Sequence, residues 1–182
     1  MMKKNTQLTH AEHSQSGQKF PLNILANDLS SPLNVGSLFR LCDALGVTRL
    51  YLCGDTPAPP NSKINKTSRS TEKHVDYQYH ENAEQLIASL KKDGVLIVSL
   101  EITSSSVAIN SKVLIDGVNT NKPVCLIIGA EKNGVSESLL DLSDHTVHIP
   151  MYGNNSSMNV VSAASIACYE IITMIQCRQQ QQ

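Results

Sequence analysis

Residues 124 to 175 set the tightest limits on how this chain can fold. The run VCLII over 124–128 is apolar at every position and leads directly into Gly129-Ala130-Glu131-Lys132-Asn133-Gly134. An apolar strand entering a turn bracketed by two glycines offers backbone donors and acceptors at the strand end. A second short strand, 146–149, leaves through Pro150 and Met151, and the polar loop Gly153-Asn154-Asn155-Ser156-Ser157 follows. That loop opens a long helix of small and apolar residues from Asn159. Two strand ends and a helix start, this close in sequence, build one compact pocket from backbone and small side chains.

The rest of the chain alternates in the same way. Residues 22–26, 49–53, 75–79 and 95–100 read as strands. Residues 34–45, 82–92 and 136–142 read as helices, with Gly46 and Gly94 as stops and Ser136 as a cap. Ser30-Ser31-Pro32 has helix-start chemistry. Strands 95–100 and 124–128 lack polar alternation, so both of their faces are expected to be covered. The pattern predicts an α/β fold: a mostly parallel sheet flanked by helices. The expected organisation is a flexible arm over 1–20, one domain over 21–177 and a disordered Gln-rich tail over 178–182. Residues 54–74 are rich in Pro, Asn, Ser and Lys and read as a long functional loop.

Composition narrows the class. A chain of 182 residues has room for one full core, and without Trp and with two Phe that core must be aliphatic. The five cysteines lack a CxxC pair, and four sit in apolar patterns, as expected of free thiols in a reducing cytoplasm. The N-terminus has no apolar signal segment, and no stretch reads as membrane-spanning. His145 and His148 fall on opposite faces of a strand, so neither is expected to hold a metal. Net charge is −1, so any nucleic-acid surface must be local.

Three groups of residues carry candidate chemistry. In Asn34-x-Gly36-x-x-x-Arg40, Asn34 stands where a helix cap is wanted, Gly36 permits close backbone approach, and Arg40 follows one turn later. An ordinary capped helix with a solvated Arg has the same pattern. The 128–134 turn is neither GxGxxG nor a Walker loop, which argues against a phosphate cradle. Glu131 on it reads equally as a surface acid. In the third group Ile149, Met151 and Met158 offer an apolar face for a ring, and Ser157 and Asn159 offer polar atoms at the helix start. A proline-terminated strand followed by a cap cluster reads the same.

Taken together, NVGSLFR (34–40), IGAEKNG (128–134) and IPM…SMN (149–159) resemble the three motifs of the SpoU/TrmH family of RNA 2'-O-ribose methyltransferases, of the SPOUT class. Met158 replaces the family's usual Leu, Val161 stands where Ser is common, and Ser156 where an acid often precedes the Ser. The resemblance implies a C-terminal trefoil knot, a homodimer joined through the last helix, and S-adenosylmethionine as cofactor, with no metal. By the same resemblance the catalytic set is Asn34, Arg40, Glu131, Ser157 and Asn159. The cofactor contacts would be Leu100, Ile128, Gly129, Ile149, Met151 and Met158. An arginine is almost always charged, so Arg40 is better suited to anchor a developing alkoxide or a phosphate than to take a proton.

The helix 159–175 is apolar or small almost all round, so one side needs the sheet and the other a partner. Lys63, Lys66, Ser68 and Arg69 form the expected RNA-binding loop at the family's KTS position, with Lys3, Lys4 and Lys19 as further phosphate contacts. A merely solvated loop has the same composition. The expected function is methyl transfer to a ribose 2'-hydroxyl. The shortness of the segment before the core favours tRNA. The alternatives are ribosomal RNA as substrate, a non-catalytic RNA-binding protein of this fold, and a small-molecule binder.

Overall fold

The computed structural model describes residues 6–7, 16–118 and 122–180. Most of the expected N-terminal arm, with Lys3 and Lys4, lies outside the described residues. Strand β1 (Phe20–Asn27) is followed by helix α1 (Pro32–Leu45), β2 (Val47–Cys53), α2 (Ser62–Ser68), β3 (Tyr77–His80) and α3 (Ala83–Lys92). Then come β4 (Leu96–Leu100), β5 (Val107–Ala108), α4 (Lys112–Gly117), β6 (Val124–Ile128), α5 (Glu137–Leu142), β7 (His145–His148) and α6 (Val160–Gln179). The strands form one sheet in the order β3-β2-β1-β6-β4-β7-β5, and every paired neighbour runs parallel.

Period-two alternation explains how this sheet is covered. In β1, Leu22, Ile24 and Ala26 face one core with Val35, Leu38, Phe39 and Cys42 of α1 and Ala164, Cys168 and Ile171 of α6. Leu25 of β1 and Cys125 and Ile127 of β6 face a second core with Leu86, Ile87 and Leu90 of α3 and Leu139 of α5. β6 sits between β1 and β4 and is buried at every residue, so its unbroken apolar run is what a central strand requires. Cys42, Cys53, Cys125 and Cys168 are buried free thiols, and burial pushes their ionisation up. They act as small hydrophobes; Cys177 is exposed.

Several expectations change in detail. The 54–74 segment is not an unstructured loop. It contains α2, capped by the Asn61 side chain, and a 3-10 turn at Thr71–Lys73. Helix α2 shows a single fully buried apolar residue, Ile64, so it leaves no periodic trace in the sequence. Ile64 packs where α1 carries Gly36, and any side chain at Gly36 would strike the Ile64 carbonyl and the Thr67 hydroxyl. The third strand begins two residues later than expected, and β5 and α4 went unread in a segment of weak patterning.

Helix α6 runs through Gln179, so Arg178 and Gln179 are helical rather than part of a disordered tail. By length and composition alone it could cross a membrane, a test that buried core helices also pass. Its stripe Ala164, Ala167, Cys168, Ile171 and Ile175 is nevertheless buried in the protein core. The opposite side leaves Ile166 41% and Tyr169 64% exposed.

Candidate active site

In parallel α/β sheets, ligands collect beyond the carboxyl ends of the strands, where the strand order reverses. Here β1, β2 and β3 run outward on one side of the sheet, and β6, β4, β7 and β5 fill the other. A cavity of about 430 Å³ opens at the carboxyl ends of β4, β6 and β7. All six expected cofactor contacts, Leu100, Ile128, Gly129, Ile149, Met151 and Met158, line it, and so do Glu131, Ser157 and Asn159. Its size suits a nucleoside-bearing cofactor, and its mix of apolar side chains with turn backbone suits an aromatic ring.

The glycine turn makes the cavity possible. Ala130 and Gly134 exchange backbone hydrogen bonds at 3.1 and 2.8 Å and close a tight loop. Gly134 has φ +66°, in the left-handed region that favours glycine. A side chain on Gly129 would fall on the Gly134 carbonyl and the Val135 amide. Gly129 is therefore fixed by backbone contact and Gly134 by its left-handed conformation and the Glu101 carboxylate beside it.

A chain of hydrogen bonds ties the three motifs together. The Asn159 side chain caps α6 by accepting from the Val161 and Ser162 amides at 2.9 and 3.4 Å. Its Nδ2 donates to Asn34 Oδ1 at 3.3 Å. Asn34 Nδ2 donates to Glu131 Oε1 at 2.8 Å. Glu131 also accepts from the Ser30 amide, the Ser30 hydroxyl and the Ser31 amide at 2.9, 3.0 and 3.2 Å.

The structure corrects one expected role here. Asn34 is not the helix cap: Ser31 is, accepting from the Asn34 amide. Pro32 starts the helix, and the Asn34 side chain is thereby free to bridge Glu131 and Asn159.

The network also sets the character of Glu131. Partial burial raises its pKa, but donation from Ser30 and Asn34 more than offsets this and holds the carboxyl at about 2. A carboxylate has about four lone-pair sites, and four donors occupy those of Glu131. So filled, Glu131 is a structural tie and a poor proton acceptor.

Other expected residues lie away from the cavity. Arg40 is exposed on α1, does not line the pocket, and makes no hydrogen bond or ion pair among the described residues. It shares a helix stripe with Gly36, the side that faces α2. Lys63, Lys66 and Arg69 are exposed on and just after α2.

Ser68, expected among the RNA contacts, is fully buried. Its hydroxyl is spent on Glu72 and the Asn65 carbonyl, so it presents nothing to a phosphate. Lys19 donates to the Val47 carbonyl at the amino end of β2, the end of the sheet remote from the cavity. Three residues not expected among the cofactor contacts, Glu101, Lys132 and His148, also line the cavity. The position of Glu101 just past a buried strand was the one available signal.

A parallel α/β domain with a glycine-turn pocket at the carboxyl ends of its strands has the architecture of a ligand-binding protein or enzyme, and comparison with known proteins narrows it. Residues 21–169 match the model of the SpoU rRNA Methylase family. The chain belongs to this family. It is 30% identical over 149 residues to the tRNA (guanosine(18)-2'-O)-methyltransferase of Thermus thermophilus, covering 82% of this chain and 73% of that protein. It is 28% identical over 152 residues to the 23S rRNA (guanosine-2'-O-)-methyltransferase of Blochmanniella floridana, covering 84% of this chain and 57% of that one.

Among solved structures it superposes on the TrmH/SpoU tRNA modifying enzyme of A. aeolicus with a TM-score of 0.76 and 26% identity, over 90% of this chain and 79% of the other. It also superposes on the methyltransferase AviRb of Streptomyces viridochromogenes, solved with AdoMet. The TM-score is 0.73 and identity 24%, over 89% of this chain and 62% of the other.

Proposed function

We propose that this chain is an S-adenosylmethionine-dependent RNA methyltransferase acting on a ribose 2'-hydroxyl, with tRNA as its substrate class. The observation that carries this is the Asn159–Asn34–Glu131 chain of hydrogen bonds. It brings three distant motifs of an RNA methylase family to the lip of one nucleoside-sized cavity. The relative from Thermus thermophilus, named for a tRNA ribose, supports the tRNA reading. The relative from Blochmanniella floridana, named for 23S rRNA, keeps ribosomal RNA as the second reading.

Leu100, Ile128, Ile149, Met151 and Met158 would hold the adenine and exclude water, and the Gly129–Gly134 turn would present backbone groups to the cofactor. Bound there, S-adenosylmethionine supplies an electrophilic methyl group on a sulfonium. The protein's part is in-line positioning of the 2'-oxygen and a dry site. Ser157 and the fixed Asn159 stand at the cavity edge, where the ribose must enter. Glu131 does not take the proton, because its lone pairs are filled. Arg40 serves as a cationic anchor for the developing alkoxide or the adjoining phosphate.

Because Arg40 does not reach the cavity of its own chain, the reading includes a homodimer in which Arg40 of one subunit completes the other's site. The exposed Ile166 and Tyr169 on α6 support that pairing. The same proposal covers the trefoil knot, a cytoplasmic location, a single domain over 21–177, and an RNA face at Lys63, Lys66 and Arg69.

The test is methyl transfer from labelled S-adenosylmethionine to unmodified total tRNA and, separately, ribosomal RNA, followed by nucleoside mass analysis. A new 2'-O-methyl nucleoside from the tRNA pool is expected. Labelling only in ribosomal RNA would select the second reading, and labelling in neither would overturn both.

A further inference from the structure

Two carboxylates line the cavity, and they differ in how much hydrogen-bonding capacity they have left. Glu131 accepts from four donors and is full. Glu101, just past the end of β4, accepts from two among the described residues. The Ile102 amide donates to Oε1 at 2.9 Å, and the Val135 amide donates to Oε2 at 3.0 Å. Gly134 lies directly against that carboxylate, since a side chain there would strike it. These contacts lock the Glu101 side chain between the β4 exit and the glycine turn after β6, two walls of the cavity.

About two of its four lone-pair sites meet no donor among the described residues. A carboxylate that is braced by two backbone amides, half-buried and left with unmatched lone pairs among the described residues is set up to accept hydrogen bonds from what enters the cavity.

We propose that Glu101 is a cofactor-binding residue whose open lone pairs accept from a donor group of S-adenosylmethionine, either its α-ammonium or its ribose hydroxyls. The inference rests on the functional reading above and adds to it a residue outside the three motifs. It divides labour between the two acids. Glu131 fastens the protein to itself, and Glu101 fastens the protein to its ligand.

The loop that follows is held at its far end as well. Ser106 Oγ and His148 Nδ1 are 2.9 Å apart, and Ser106 donates to the Thr103 carbonyl at 3.0 Å. The carboxylate therefore projects from a segment anchored on both sides, which preserves its aim.

Calorimetry tests this with the wild-type chain and Glu101→Gln, each titrated with three ligands. These are S-adenosylmethionine, 5'-methylthioadenosine, which lacks the ammonium, and the 2',3'-dideoxy form of the latter, which lacks both ribose hydroxyls as well. For S-adenosylmethionine, Glu101→Gln should weaken binding about tenfold or more, as expected for a lost bond to a charged acceptor. That loss should shrink or vanish for the ligand lacking the group that Glu101 meets, the coupling expected of a direct contact. An equal loss for every ligand would mean a purely structural brace and would overturn the proposal, as would no loss at all.

Should Glu101→Gln fail to fold, the ligand series on the wild-type chain decides. Equal affinity with and without each donor group overturns the proposal. A wild-type chain that binds none of the three ligands overturns the functional reading itself, and this inference with it.

Discussion

The cavity and the α1–α2 face are held by opposite means. At the cavity, polar groups are matched to one another: four donors on Glu131, a capped helix start at Asn159, and glycines against which no side chain fits. On the α1–α2 face the backbones of Gly36 and Ile64 touch, but Arg40, Lys63, Lys66 and Arg69 extend freely into solvent. One region is made for a ligand of fixed shape. The other presents exposed, long cations, the kind of side chain that suits a phosphate backbone. Disturbing the first should change cofactor binding and stability together. Disturbing the second should leave the folded domain intact and change only what happens with RNA.

The largest effect is expected from Arg40→Ala. Methyl transfer should fall by about a hundredfold or more, the usual scale for removing one electrostatic stabiliser, while calorimetry shows cofactor affinity nearly unchanged. Normal single-turnover rates in that variant would remove Arg40 from the mechanism. Gly129→Ala comes next. Overpacking against the Gly134 carbonyl should cost about 1–3 kcal/mol in a denaturant titration and weaken cofactor binding in parallel. Retention of both would show that the turn can shift, and the contrast with the solvent-facing side would lose its basis.

Reversing charge at Lys63, Lys66 and Arg69 together should weaken RNA retention about tenfold or more at low salt and flatten its salt dependence. Cofactor affinity and unfolding temperature should stay put. Unchanged RNA binding would move the RNA face elsewhere.

The smallest effect concerns pH. The carboxyl of Glu131 sits at about 2 in the folded chain, below its ordinary value of about 4.3 in an unfolded one. Its contribution is therefore complete above about pH 4.3 and is lost as pH falls from there toward 2. Solvent reaches this residue, so the contribution should be no more than about 1–2 kcal/mol after screening. Wild type and Glu131→Gln should differ in stability at neutral pH and converge near pH 2. A gap that persists undiminished would mean the hydrogen bonds do not depend on the charge.

Much of this was legible in the sequence for a physical reason. An unbroken apolar strand must be central, which placed 124–128 between neighbours. A glycine pair after a strand end marks close backbone approach, which located the cavity. The Ser-Ser-Pro start and the Gly46 stop fixed α1 within two residues. What escaped was short or depended on contact. Helix α2 has one buried apolar residue and therefore no periodicity. Ser68 carries a hydroxyl like its neighbours, and only the fold buries it beneath Glu72. Asn34 looks like a cap from its position, yet Ser31 takes that role.

The sequence by itself determined the alternation of strands and helices, the two-sided burial of the central strand, the aliphatic core and the family to which the chain belongs. These follow from periodicity, from glycine and proline at strand ends, and from three ordered motifs. Tertiary structure alone decided that Asn34 shares one hydrogen-bonded chain with Glu131 and Asn159, 97 and 125 positions further on. It decided too that, among the described residues, Glu131 meets four donors and Glu101 two. Hydrogen-bond capacity is spent between groups distant in sequence, so it can be counted only after the chain has folded.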